Sequence, residues 1–287
     1  MKKSYEIDMC NGPLLGKILV FSIPLMLSGI LQLLFNAADI IVVGRFAGST
    51  ALAAVGSTAS LINLMINVFV GLSVGVNVLA ARYYGAQKEK DIQDTVHTAI
   101  MMAILSGLFL VVLGESASKP MLTLMGTPDD VLDQAALYLR IYFFGMPVLM
   151  IYNFGAALLR AVGDTRRPLY FLFAAGAVNV VLNLFFVIQL GMGVDGVAWA
   201  TVISECVSAG LIIRSLMKER GAMKLHLSKL RVVPEKLKQI IRIGLPAGMQ
   251  GAIFSISNVL IQSSVNSFGS IAMAGNTASS NIEGFVY

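Results

Sequence analysis

The sequence has 287 residues, of which 56% are hydrophobic and only 13% are charged, and its formal net charge is +5. An ordinary soluble domain carries about 25% charged residues, so this composition excludes a soluble globular protein. It predicts an all-α membrane protein, a polytopic helical bundle, because helices satisfy their own backbone hydrogen bonds in lipid.

Eight apolar segments follow one another along the chain, and most are long enough to cross a hydrocarbon layer of about 30 Å. We predict them at 18–43, 51–80, 94–114, 131–159, 168–190, 194–217, 239–266 and 270–287. Residues 1–217 would then form a six-helix unit, 218–238 a basic linker, and 239–287 the first two helices of an incomplete second unit. Because no charge follows the last segment, we expect the chain to be part of a longer protein.

Basic residues fix the expected orientation. Of the 21 Lys and Arg residues, 18 lie in the N-terminal tail, in alternate loops or beside them, and nine of these cluster from Arg214 to Arg242. The positive-inside rule therefore places the N-terminus and these loops in the cytoplasm, with the protein in the plasma (inner) membrane. Basic loops beside anionic lipid account for the net charge without a nucleic-acid partner.

The chain also contains a weak internal repeat. IPLMLSGILQLLFNAADIIVVGRFAGSTALAA, from Ile23, aligns with LPAGMQGAIFSISNVLIQSSVNSFGSIAMAG, from Leu245. The alignment pairs Pro24 with Pro246 and Asn36 with Asn258, and after a one-residue skip it pairs Gly48-Ser49 with Gly269-Ser270. Six predicted helices separate the copies, so both run in the same direction. Parallel repeats of this kind are typical of one transporter class, in which the substrate path lies between the halves.

An acid, Asp39, lies inside the first apolar segment, in FNAADIIVVGR. An ionised side chain at the bilayer centre costs at least ~2.5–3.5 kcal/mol, so it must face protein or water, or be protonated. Polar residues share one helix face with Asp39, and three other segments carry similar stripes: Ser28, Gln32 and Asn36; Ser60, Asn63 and Asn67; Gly176, Asn179 and Asn183; Thr201, Glu205 and Ser208. Such stripes predict a wet cavity. The alternative, which we favour for most Ser and Asn residues, is helix–helix hydrogen bonding worth about 0.6 kcal/mol per contact.

The sequence contains no recognisable motif for a metal site, a bound nucleotide or a catalytic site. Cys10, Cys206, His97 and His226 are isolated and show no metal-ligand spacing. Nucleotide-binding loops and nucleophile elbows are absent from the sequence. We therefore expect no cofactor and no enzymatic activity.

Four stretches together resemble the MATE (multidrug and toxic compound extrusion) family of the MOP transporter superfamily. They are IPLMLSGILQLLFNAADIIVVGR, LRAVGDTRRP, GMGVDGVAWATVISE and NIEGF. The resemblance covers essentially the whole chain and implies a protein of twelve helices in two six-helix lobes. This chain would supply the N-lobe and about two helices of the C-lobe, and the rest of the C-lobe would be missing from it.

The resemblance also implies a cation-coupling site, a candidate Na⁺ or H⁺ site, at Asp39, Asn179, Asn183 and Thr201. The family often has Asp where this chain has Asn183, and the loss of that carboxylate weakens a Na⁺ site and favours H⁺. Glu283 matches an acid common in the family's eighth helix. Further candidate cavity residues are Gln32, Asn36, Asn63, Asn67, Glu205, Asn258 and Glu283.

The function expected from the resemblance is a cation-coupled antiporter that exports organic, often cationic, drug-like compounds across the bilayer. One alternative is a lipid-linked oligosaccharide flippase of the same superfamily, although such a cavity would need Arg and Lys, and here Arg140 is the main basic residue within a predicted helix. A non-transporting fragment is the third reading. The substrate stays open.

Overall fold

A computed structural model describes residue 7 and residues 14–284 of the chain. The described part is helical throughout, with short connections. The helices are α1 (Leu14–Val42, continued by a π-helical segment Val43–Ala47), α2 (Ser49–Gly85), α3 (Glu89–Leu124), α4 (Asp129–Phe144), α5 (Met146–Ala161), α6 (Arg166–Leu184, continued by a π-helical segment Phe185–Gln189), α7 (Val194–Lys218), α8 (Pro234–Asn266) and α9 (Ser270–Glu283). Within the described residues, six helices are long and apolar enough to cross a membrane, or seven spans if α4 and α5 count as one. The predicted all-α membrane fold is confirmed.

Some sequence predictions lie outside the described residues. These are the basic Lys2 and Lys3, the isolated Cys10 and the end of the last predicted segment, Phe285 to Tyr287. The short helices Gly221–Met223 and Leu227–Lys229 lie in the predicted linker, which otherwise has no regular structure before α8.

The predicted segment 131–159 is the main error in the helix boundaries. It is broken at Gly145 into α4 and α5, which are bent by 50° relative to each other. Pro147 lies in the first turn of α5, where it lacks the backbone N–H that a continuous helix would use. Helices α2 and α3 also run past their predicted ends, because polar residues continue the helix beyond the apolar stretch.

The aligned copies of the internal repeat share a local backbone feature. Gly48 precedes α2 with φ +94° and ψ 173°, and Gly269 precedes α9 with φ +89° and ψ 173°. Positive φ at both sites favours glycine. Pro24 and Pro246 likewise both lie inside long helices, α1 and α8. Equivalent positions thus have equivalent local structure, as a parallel repeat requires.

Helices α2 and α8 cross in close backbone contact. Gly71 and Gly75 on α2 face Gly244 and Gly248 on α8, and in each pair three residues separate the glycines. A Cβ atom added at Gly71 would lie 2.2 Å from the Cα of Gly248. Small residues at this spacing let membrane helices approach one another closely. The spacing is visible in the sequence as two pairs of glycines, each with three residues between its members.

The basic linker is held against the start of α3. Arg231 pairs with Asp94 at 2.6 Å, and the backbone N–H of Val233 donates to Thr98 Oγ1 at 3.1 Å. Lys236, at the start of α8 and only 2% exposed, lies 2.5 Å from Asp91 Oδ1. These cations therefore bind acids of the protein, whereas the sequence alone placed the basic loops beside lipid.

The stretch LRAVGDTRRP joins α5 to α6 and has a structural role in this fold. Arg167 forms ion pairs with the buried acids Asp164 and Glu219, and its Nη1 donates to Ser215 Oγ at 2.9 Å. This cluster connects the α5–α6 turn to the end of α7, which fixes the position of α6 beside α7.

Candidate functional site

The site begins with the contact that sets α1 against α6. The ring of Phe35 occupies the space beside Gly176, where an added Cβ atom would lie 1.7 Å from Cε2 of that ring. Glycine is therefore required for this approach of the two helices. Asp39 lies one turn beyond Phe35, and Asn179 lies about one turn beyond Gly176. The contact thus brings the carboxylate of α1 to the amides of α6.

A chain of hydrogen bonds connects three helices at this level. Asn183 Nδ2 donates to Asp39 Oδ1 and lies 3.2 Å from Asn179 Oδ1. Asn179 Nδ2 donates to Thr201 Oγ1 on α7 at 3.4 Å, and this hydroxyl donates to the carbonyl oxygen of Val197 at 3.0 Å. The four residues expected at the cation-coupling site are therefore adjacent.

One polar atom of this cluster has no partner. Asn183 is 1% exposed, and within the described part of the chain its buried Oδ1 atom accepts no hydrogen bond. A buried acceptor without a donor costs about 1–3 kcal/mol. This oxygen is therefore available as a hydrogen-bond acceptor or as a cation ligand.

The ligands at this site limit which ions it can hold. Asp39 contributes the one carboxylate of the cluster, and its neighbours contribute amide and hydroxyl oxygens. Over the residues that the structure describes, no three His, Cys, Asp or Glu side chains come together to bind a metal. The site therefore fits H⁺ or a hard monovalent cation such as Na⁺ better than a transition metal, which prefers His and Cys ligands.

The other predicted cavity residues do not join this cluster. Gln32, Asn36, Asn63, Asn258 and Glu283 are exposed. Asn67 belongs to a helix–helix contact instead, because its Nδ2 donates to Ser255 Oγ on α8 at 2.7 Å. Glu205 lies elsewhere on α7, against Gly145. The predicted stripe on α2 is therefore not in hydrogen-bond contact with Asp39 in the described residues, and its place in a shared cavity stays a prediction.

Arg140 bears on the flippase alternative. It lies on α4 with its Nε 3.7 Å from Glu115 Oε2 on α3, and both side chains are half-exposed. This pairing places the guanidinium on the α3–α4 surface. The basic cavity that a pyrophosphate-linked substrate would require is not built around this residue.

Sequence and structure comparisons give one consistent result. The family profile described as MatE matches residues 24–185. Two relatives from Bacillus subtilis (strain 168) are the probable multidrug resistance proteins YoeA, 32% identical over 93% of this chain and 59% of that protein, and YpnP, 27% identical over 97% and 62%. A solved inward-facing multidrug resistance MATE family transporter of the MOP superfamily superposes with a TM-score of 0.80 at 28% identity, covering 86% of this chain and 57% of that one.

The lengths of these proteins differ. The chain spans about three fifths of the curated relatives that it matches, 59% of YoeA and 62% of YpnP. The match of the family profile begins at Pro24 in α1 and ends in the π-helical segment after α6. It therefore includes Asp39, Asn179 and Asn183, while Thr201 lies beyond it.

Proposed function

Because the chain belongs to the MATE family of multi-pass membrane transporters, we propose that it exports organic, often cationic, compounds in exchange for an inward-moving cation. The family consists of transporters, in agreement with the prediction that the protein is not an enzyme. The names of the curated relatives support drug-like substrates, since YoeA and YpnP are both described as probable multidrug resistance proteins.

The observation that carries the proposal is the hydrogen bond from Asn183 to Asp39 inside an apolar bundle. A charged carboxylate at membrane depth is costly, and binding a cation removes that cost. When the cation leaves, the charge returns and must face water or an organic cation. Binding and release at Asp39 therefore favour different arrangements of the helices, which is what coupling requires.

Two cations fit this scheme, and we favour H⁺. A Na⁺ ion would take Asp39 and the neutral oxygens of Asn179, Asn183 and Thr201 as ligands, with a single carboxylate to balance its charge. A proton needs Asp39 alone, so the single carboxylate of the cluster suffices for it.

The proposed architecture has an N-lobe at 1–217, a cytoplasmic linker at 218–238 and the start of a C-lobe at 239–287, in the plasma membrane with the N-terminus in the cytoplasm. The contact between α2 and α8 is then a contact between lobes. It includes the close glycine crossing and the pairing of Lys236 with Asp91. Transport would require the lobes to move relative to each other at this contact.

The test uses the full-length gene product in liposomes loaded with ethidium, a fluorescent organic cation. A pH gradient and a Na⁺ gradient are imposed separately, each with the other ion equal on both sides. We expect efflux to follow the pH gradient and to stop when a protonophore collapses it. Efflux that follows only the Na⁺ gradient would mean that the protein is an antiporter coupled to Na⁺ instead of H⁺. Efflux that depends on neither gradient would contradict the proposal.

A further inference from the structure

We propose that Glu205 is a second proton-binding site of the N-lobe, separate from Asp39 and built at the break between α4 and α5. The inference rests on the proposed export function for its biological use. Proton binding at Glu205 can nevertheless be measured without transport.

The geometry begins with the position of the break. Helices α4 and α5 have 16 residues each, so Gly145 lies at the middle of the span that they form together. Non-helical backbone at membrane depth is tolerated where it is buried in protein or lines a water-filled cavity. Broken helices near the midplane are also a common place for coupling-ion sites in transporters.

The carboxylate of Glu205 lies directly against this break. A Cβ atom added at Gly145 would be 3.3 Å from Glu205 Oε2 and 2.8 Å from Val202 Cγ2. Glycine therefore leaves room for the acid. The backbone carbonyl of Tyr142 lies 3.2 Å from the same point, so a second oxygen borders the space that the carboxylate faces.

Glu205 has no charge partner in the part of the chain that the structure describes. No salt bridge or side-chain hydrogen bond there involves its carboxylate, and no Lys, Arg or His interacts with it. The titratable groups in its electrostatic range are Tyr138 and Tyr142 on α4 and Cys206 on α7. Helices α2, α5 and α6 also pack against α7, and within the described residues none of them forms an ion pair with Glu205.

In these surroundings the protonated carboxyl group of Glu205 is neutral. Its ionised form costs free energy, because no opposite charge within the described part of the chain stabilises it. A metal ion fits poorly, because Glu205 contributes a single carboxylate and belongs to no described cluster of three or more metal-ligating side chains. Glu205 and Asp39 both interact electrostatically with Tyr138 and Tyr142. The acids lie around the same pair of rings, whose centroids are 6.0 Å apart.

The experiment is an infrared pH titration of the full-length gene product in lipid, which follows the C=O stretch of protonated carboxyl groups. We expect signals of protonated carboxyl groups from both Glu205 and Asp39 in the wild type. Glu205→Gln should remove one and Asp39→Asn the other. Glu115→Gln is the matched control, since this half-exposed acid pairs with Arg140, and it should leave both buried signals in place.

Gly145→Ala provides a second, independent variant that keeps every acid. The added methyl group would press on Glu205 Oε2, so it should shift the signal that Glu205→Gln removes and leave the Asp39 signal unchanged. If both variants give the wild-type titration, Glu205 does not bind a proton and the inference is wrong. If Glu205 binds no proton but efflux still follows a gradient, the proposed function stands and only this inference fails. If Glu205 gives its signal but efflux follows no gradient, the proposed function is refuted and the proton-binding site stands.

Discussion

Asn183 donates a hydrogen bond from its side-chain amide to the carboxylate of Asp39, although 144 residues separate them in the chain. The contact joins α1 to α6 at the one level where α6 has two buried amides, Asn179 and Asn183. The carboxylate of Asp39 thus contacts Asn183, one of a pair of polar side chains that α6 provides.

Replacing Asn183 should change the ion response of the site in two directions. Asn183→Leu removes the hydrogen bond to Asp39 and the amide oxygen that a Na⁺ ion would take as a ligand, so the response to Na⁺ should decrease. Asn183→Asp adds a second carboxylate, which should increase the response to Na⁺. Initial efflux rates across a series of Na⁺ concentrations test both. Equal Na⁺ responses in the wild type and Asn183→Asp would show that position 183 does not contact the ion.

The contact of Phe35 with Gly176 should position Asp39. Gly176→Ala inserts a methyl group into the space of the ring, and we expect overpacking of about 1–3 kcal/mol together with loss of gradient-driven efflux. Gly29→Ala on α1 is the control, because nothing lies within 4 Å of a Cβ atom added there. Wild-type efflux from Gly176→Ala would mean that the approach of α1 to α6 does not matter for coupling.

The glycine crossing of α2 and α8 should be sensitive to one methyl group. Gly71→Ala would place its Cβ atom 2.2 Å from the backbone of Gly248, and separation of the helices should cost about 1–3 kcal/mol. Thermal unfolding in detergent measures this cost. Gly210→Ala on α7, which has open space around it, should not lower the unfolding temperature, and an equal decrease in both variants would argue against a specific contact.

Lys236 should stabilise the start of α8 against α3. Lys236→Met leaves Asp91 and the hydroxyl of Tyr83 without their shared partner. Asp91 keeps 34% of its side chain exposed, so water solvates it in part and we expect a loss of about 1.5–3 kcal/mol, typical of a hydrogen bond to a charged group. Lys238→Met removes the same charge from an exposed position. Equal unfolding temperatures of the two variants would show that only net charge matters.

The sequence predicted the helical membrane fold because apolar length is a strong local signal. The grouping of Asp39 with three further residues, Asn179, Asn183 and Thr201, came instead from the resemblance to the MATE family. The break at Gly145 was missed, since the apolar pattern continues through Pro147 and hides it. The polar pattern also could not predict which residues are buried. Asn63 and Asn67 share a helix face, yet Asn63 is exposed and Asn67 contacts α8. Only tertiary packing decides which neighbour a polar stripe meets.

The charge of Asp39 is the centre of this account, and one substitution tests it. Asp39→Asn keeps the shape of the side chain and much of its hydrogen bonding but cannot bind and release a cation. The measurement is ethidium efflux from liposomes that contain the full-length gene product, under an imposed pH or Na⁺ gradient, with equal amounts of folded wild-type and variant protein. We predict that the variant loses gradient-driven efflux. Efflux at the wild-type rate would contradict the account and make Asp39 a structural residue.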